Sequence, residues 1–392
     1  MKIVIIGNGM YVSGRGTDGF GTILPAVLEY KRGGGEVLEV HMVGTNRKHS
    51  LVAAAKANEL MKQTGISVKL NVYPDIIEKD IKAYKDVLNT IEGRLACAIV
   101  SVPDHLHFQI TRDCLESGFH TLVVKPLTPT VKEAKELIDL AEKMNLYGAV
   151  EFHKRWDKQN LMLRDIFQTS RLGDPLYTWI EYSQRKSIPT TIFKNWVEKS
   201  NILQYLGIHY IDIIRFVTGA VPIRVMAVGQ KNWLKSKGIN VHDAIQCMVE
   251  WKMPNGTLFN QTLLNNWIDP ETTSALSDQK IKFVGTKGRF EADQKERGIR
   301  LVIDDESLGT PNPDFCQPYG TENSQIRWQG YGIKSISTFL QDVNDIISDN
   351  KTPESFEGKR PTFNEAIIST AVIESAGNSL ADNGNWKPVE LK

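Results

Sequence analysis

The chain opens on Met1-Lys2-Ile3-Val4-Ile5-Ile6 and runs at once into Gly7-Asn8-Gly9, with six glycines between positions 7 and 21. A short, continuous β-branched run halted by glycine is the pattern of a strand buried on both faces, which belongs in a parallel sheet. Residues 22–32 then carry Ile23, Val27 and Leu28 at helical spacing and stop at Gly33-Gly34-Gly35. Strand, glycine-rich turn and helix in this order make a cradle for a diphosphate: glycine lets the backbone approach closely, and the helix start offers free N–H groups. Gly7, Asn8, Gly9, Met10 and Tyr11 are therefore expected against a dinucleotide. Val12 stands where a third glycine is usual, and the loop is several residues longer than usual.

The same alternation continues. Residues 37–43, 68–72, 97–102, 121–124 and 147–152 read as strands, and 50–63, 107–117 and 131–144 as helices. Strands separated by helices of this length predict a doubly wound parallel sheet of Rossmann type over residues 1–150. Beyond it the pattern changes. Residues 177–183, 221–230, 242–251, 257–264 and 279–284 are strand-like with mostly short turns, broken by helices at 157–169 and 202–218. This predicts an α+β domain over 151–392, built on a large, open, mostly antiparallel sheet. A further helix is expected at 361–380, and 304–323 reads as a long surface loop.

Forty-seven basic against forty-six acidic side chains give no reason to expect nucleic acid or an anionic membrane as partner. Cys97, Cys114, Cys247 and Cys316 are scattered without C-x-x-C pairing, so they read as buried thiols, with no metal site and no disulfide framework. The apolar start is too short for a signal-peptide core, and no stretch approaches the length of a membrane span, so a cytoplasmic location is the expectation.

The second strand ends at Gly44-Thr45-Asn46-Arg47-Lys48. An acid here would bind the adenosine ribose hydroxyls of NAD. Thr45, Asn46 and Arg47 stand there instead, and Arg47 or Lys48 could meet a 2′-phosphate. The cofactor expected is NAD or NADP, with a slight lean to NADP.

Three further motifs follow: Ser101-Val102-Pro103-Asp104-His105-Leu106-His107, Val124-Lys125-Pro126-Leu127 and Gly207-Ile208-His209-Tyr210-Ile211-Asp212. In this order behind a dinucleotide loop, the chain resembles the glucose–fructose oxidoreductase / inositol dehydrogenase (Gfo/Idh/MocA) family over essentially its whole length. The resemblance implies hydride transfer between the nicotinamide and a ring carbon of a sugar, cyclitol or sugar derivative. It implies Lys125 as the residue that orients and polarises the reacting hydroxyl, and His209 as the base; an unperturbed imidazole, titrating near about 6.5, suits that role. Asp212, one turn on, would orient His209. Val102, Pro103, His107 and a cis Pro126 would line the cofactor. Val124 replaces the usual Glu before the lysine, and Tyr205 replaces an Asp four residues before the histidine, so Tyr205 is a third candidate for the proton path, with Gln204 beside it.

On the substrate side, His153, Arg155 and Trp156 follow the last strand of the first domain, and Arg185, Lys194 and Trp196 add cations and an aromatic platform. Such a group would suit a ring bearing an anion, and then loss of Arg155 or Arg185 would raise KM chiefly for anionic sugars. Homodimers or homotetramers are expected from the open sheet. A second function class is a redox-neutral glycosidase that oxidises, eliminates and re-reduces with bound dinucleotide. A third is a non-catalytic sensor, against which the pairing of Lys125 with His209 argues.

Overall fold

The computed structural model describes residues 1–321 and 323–391. It divides into two compact units: Met1–Thr128, Lys132–Trp156 and Asp314–Ala366 form the first, and Pro129–Val131, Asp157–Pro313 and Ile367–Lys392 the second. This differs from a division at 150, because residues 314–366 return to the first unit.

The first unit is a six-stranded, wholly parallel sheet: β1 (Lys2–Ile6), β2 (Glu39–Val43), β3 (Lys69–Tyr73), β4 (Ala96–Val100), β5 (His120–Val124) and β6 (Gly148–Glu151), ordered β3-β2-β1-β4-β5-β6. The chain thus reverses direction across the sheet between β1 and β4, and ligands of such sheets sit at that switch point, outside the carboxyl ends of the strands. The helix Tyr331–Ile347 was not anticipated from sequence. Its Ile333, Ile336, Phe339, Leu340 and Val343 form an apolar stripe that packs with Ile23, Ala26, Val27 and Tyr30 of helix Ile23–Arg32 in one core. That stripe ties residues 314–366 to the first unit. The hairpin Gln317–Gly320 with Ile326–Gln329 likewise replaces part of the expected surface loop.

Gly7 shows how tightly the switch point is built. Its φ is +119°, and a Cβ there would lie 2.0 Å from the Ser101 carbonyl oxygen, on the loop that leaves β4. Gly7→Ala is expected to cost at least about 2 kcal/mol of unfolding free energy in a denaturant titration. A loss near zero would mean that the two loops part easily.

The second unit holds a seven-stranded sheet: β7 (Pro175–Arg185), β8 (Val221–Gln230), β9 (Ala244–Lys252), β10 (Leu258–Asp269), β11 (Ser277–Gly285) and β12 (Gly288–Asp293), with Lys387–Pro388 pairing on β8. Every neighbouring pair is antiparallel except β7 with β10. Along β10 the side chains of Phe259, Gln261, Leu263, Asn265 and Trp267 are buried and alternate with more exposed ones. Gln261 accepts from Trp251 Nε1 (3.0 Å) and donates to the Tyr210 carbonyl (3.0 Å), which fixes the buried helix Ile208–Thr218 to the sheet. The expected helix at 202–218 is two pieces. Leu203–Gly207 is a π-turn, and the α-helix begins only at Ile208.

Candidate active site

In the first unit the loop after β1 is shaped from within. Asn8 Nδ2 donates to Ser50 Oγ (3.0 Å), which donates to the Tyr73 carbonyl (2.7 Å), while Ser13 Oγ and Arg15 Nε both donate to the Asn8 carbonyl. Asn8, expected against cofactor, thus uses its amide to moor the loop. Gly9 faces open space where a Cβ would meet no atom within 4 Å. The backbone at Gly9 is therefore open to close approach, which fits a diphosphate, and the loop fits a dinucleotide.

At the end of β2, Asn46 caps the helix Arg47–Thr64 by accepting from the His49 N–H (3.1 Å). Arg47, Lys48 and His49 fill its first turn without any acid, against the ordinary preference for anions at a helix start. Arg15 faces them from the glycine-rich loop: burial lowers the His49 pKa, and the charges of Arg15 and Lys48 lower it further. Arg47 Nε also donates to the Asp75 carbonyl (2.6 Å).

Lys125 follows β5, and its peptide bond to Pro126 is cis, as the resemblance implied. Only 7% of its surface is exposed. Burial pushes its ammonium down to about 8, against the opposing pull of Asp104 and then Glu151. His107, expected to line the cofactor, is fully buried and sets its ring nitrogens against the carbonyl oxygens of Pro126 (2.6 Å) and Val102 (2.9 Å). Its ring therefore clamps the Val102–Pro103 and Lys125–Pro126 loops together. Tyr11, His153 and Glu151 converge nearby. His153 Nδ1 lies 2.9 Å from Glu151 Oε2 and 3.5 Å from the Tyr11 hydroxyl, and Phe315 and Tyr331 pack on the His153 ring. Burial, then Glu151, raises the Tyr11 hydroxyl pKa.

In the second unit His209 is 2% exposed, at the start of the α-helix just after the π-turn. Such turns recur at functional sites because they shift side chains off the regular helical face. Asp212, also buried, follows three positions later on the same helix, within side-chain reach of His209. Tyr182 lies beside His209, ring centroids 6.4 Å apart, and burial pushes its hydroxyl up. Gly207 admits Asn265: a Cβ there would lie 2.8 Å from Asn265 Oδ1. Asn265 donates to the Tyr182 carbonyl (2.9 Å), and its Oδ1 is buried without a hydrogen-bond partner among the described residues. Gln204 is buried, its N–H donating to Asn201 Oδ1 (2.9 Å).

Tyr205 does not stand alone as a phenol. Its ring sits among Phe193, Trp196 and Trp267 at 4.8, 6.3 and 6.1 Å. Trp196 is thereby part of an aromatic cluster. Two expected anion-binding cations are engaged within the protein. Arg185 donates to the carbonyls of Ala275 and Thr273. Arg155 is buried with Nη2 3.9 Å from Glu365. Trp156 is half-buried at the end of the first unit's stretch, and Lys194 lines a surface cavity of about 420 Å³ with Trp233, Lys237 and Glu198.

Sequence reading missed Asn265 and Tyr182. The signal available was a polar residue at an inward position of an alternating strand, which for Asn265 is plain once the register of β10 is known.

Residues 33–152 match the oxidoreductase family with NAD-binding Rossmann fold (GFO_IDH_MocA), and residues 161–291 match the GFO/IDH/MocA C-terminal domain. Among curated proteins, a scyllo-inositol 2-dehydrogenase (NADP(+)) of Bacillus subtilis is 28% identical over 145 residues, 35% of this chain and 40% of that protein. A D-glucoside 3-dehydrogenase of Escherichia coli is 30% identical over 130 residues, 32% of this chain and 37% of that protein. An uncharacterized oxidoreductase of Schizosaccharomyces pombe is 41% identical over 75 residues, 19% and 20% of the two chains. The matched stretches thus span between about a fifth and two fifths of these relatives. A crystal structure of scyllo-inositol dehydrogenase from Lactobacillus casei, with bound NAD(H) and scyllo-inositol, shares the fold with TM-score 0.67 and 15% identity, over 99% of this chain and 98% of that one.

Proposed function

Because this chain belongs to the Gfo/Idh/MocA oxidoreductase family, we propose that it is a dinucleotide-dependent dehydrogenase of a cyclitol or sugar ring. The observation that carries the reading is the buried Lys125 ammonium at the carboxyl end of β5, beside a loop fit for a dinucleotide. Bound nicotinamide would supply the hydride acceptor at its C4. Gly7, Gly9, Met10 and the Val102–Pro103 turn would hold the dinucleotide. Lys125 donates a hydrogen bond to the reacting hydroxyl and stabilises the charge that develops on its oxygen. His209 takes the hydroxyl proton, oriented by Asp212. Asn265 Oδ1 accepts from a second ring hydroxyl, and Tyr205 and Trp196, backed by the buried Trp267, pack an apolar face of the ring. With Arg185 engaged by backbone carbonyls, a neutral polyol ring is the preferred substrate.

Arg15, Lys48 and Arg47 favour NADP over NAD, since a 2′-phosphate would neutralise cations that otherwise repel one another at a helix start. The test is reduced-nicotinamide absorbance over a panel of inositols and glucosides with either dinucleotide. A neutral cyclitol or glucoside with NADP is expected to give the highest kcat/KM. Lys48→Ala with Arg47→Ala is expected to weaken NADP binding at least about tenfold and leave NAD binding nearly unchanged. Equal losses for both dinucleotides would contradict the phosphate assignment, and no reduction with any member of the panel would contradict the function.

A further inference from the structure

The glycine-rich loop after β1 is longer than a dinucleotide cradle needs, and the surplus is folded. Gly14 has φ +69°, and a Cβ there would run into the Gly19 carbonyl, so residues 14–19 close into a tight turn. Thr17 holds it, its N–H and its hydroxyl both donating to the Gly14 carbonyl (3.0 and 2.9 Å). The loop is laced to the helix Arg47–Thr64 at two places. Asn8, packed against Gly44, donates through Nδ2 to Ser50 Oγ (3.0 Å). More than one helical turn further on, Lys56 Nζ donates to the Gly19 carbonyl (2.7 Å) and sits 5.2 Å from the Phe20 ring centroid. Arg15 lies between these two ties. Its Nε donates to the carbonyl of Asn8, the residue bonded to Ser50, which sets the guanidinium beside the first turn of that helix and its Arg47, Lys48 and His49.

Arg15 is half-buried, and its Nη1 and Nη2 make no hydrogen bond or ion pair among the described residues. Asp18 of the same loop makes no ion pair with it, nor do Asp75, Glu78 and Asp80 of the loop bonded to Thr45 and Arg47. A guanidinium presents its donors as a rigid fork that matches two oxygens of one phosphate. A partly desolvated fork with no acceptor is a cost to the protein alone, and a phosphate placed there offsets it. We propose that Arg15 is the specificity-determining residue of the dinucleotide site: the lengthened loop delivers its fork to the 2′-phosphate of NADP, while Lys48 adds charge from the helix. The inference rests on the NADP reading given above, and it places the selectivity on the glycine-rich loop as well as on the end of β2. NAD presents a neutral hydroxyl at the same point, which returns at most one uncharged hydrogen bond. Loss of the fork therefore falls on NADP and spares NAD.

The full chain, freed of any bound dinucleotide, is titrated calorimetrically with NADP, NAD, adenosine 2′,5′-bisphosphate and adenosine 5′-monophosphate, so that turnover does not enter the readout. The parent protein is expected to bind each 2′-phosphorylated ligand more tightly than its counterpart. Arg15→Met is expected to weaken NADP and the bisphosphate by about ten- to a hundredfold and to leave NAD and the monophosphate within about twofold. Arg15→Lys keeps the charge but not the fork, so its loss should lie between, and it stands in should Arg15→Met not fold. A parent protein that prefers NADP and keeps that preference in the Arg15 variants overturns the proposal alone and leaves selectivity with Lys48 and Arg47. Equal losses for NAD and NADP also overturn it, since they would show Arg15 acting only on the shape of the loop through Asn8. A parent protein with no preference for NADP overturns the NADP reading and this proposal together.

Discussion

Replacing Lys125 with methionine is expected to lower kcat roughly a thousandfold while leaving dinucleotide affinity within about twofold. The methionine fills nearly the same volume, so the cis Lys125–Pro126 turn and the His107 clamp keep their packing. What is lost is the one donor assigned to the developing alkoxide. Folding should not suffer, because a buried ammonium is itself a cost of the folded state. The sign is open to a separate check. The folded protein holds this amine at about 8 against an ordinary 10.5, so the unfolded chain binds more protons between those values. Stability of the parent protein from this group therefore rises with pH across that window, and the methionine variant should lack the rise. The same ammonium must be charged for catalysis, so kcat/KM of the parent enzyme should fall as pH passes about 8. Stopped-flow turnover, calorimetric dinucleotide binding and denaturant titrations at several pH values separate these effects. A variant that retains a tenth or more of parental kcat would show that the ammonium does not touch the reacting oxygen.

The second large effect is expected at His209. His209→Asn keeps a polar side chain of similar reach at the head of the helix Ile208–Thr218 but removes the base, and kcat should fall by about 10²–10⁴. Dinucleotide affinity should be unchanged, since the loop residues proposed to hold the cofactor are all in the first unit. An added small base such as imidazole should restore part of the rate. Loss of substrate affinity with undiminished kcat would assign His209 to binding alone. Asp212→Asn should cost less than His209→Asn, because it alters only how the imidazole is held.

Much of this was legible in the chain as written, where local pattern and tertiary role coincide. The β-branched run before Gly7 and the alternating strands of the second unit read correctly as elements, because periodicity records burial directly. The misses have specific causes. The apolar stripe of Tyr331–Ile347 was present, yet it lies far along the chain from the sheet it covers, and sequence order suggested the wrong unit. The π-turn at Leu203–Gly207 breaks helical period without any proline or extra glycine to announce it, so one continuous helix was expected over 202–218. Arg185 looked like a ligand contact because nothing local tells that backbone carbonyls of a distant loop will occupy it.

The most direct test of the account follows the hydride. The protein is incubated with an oxidised nicotinamide dinucleotide and a neutral cyclitol or glucoside carrying deuterium on its ring carbons, and the dinucleotide is examined by mass spectrometry. The account predicts net formation of reduced dinucleotide bearing one deuterium at C4, in step with a ketone on the ring. Release of an aglycone without net reduced dinucleotide, or no deuterium in the nicotinamide at all, would contradict it.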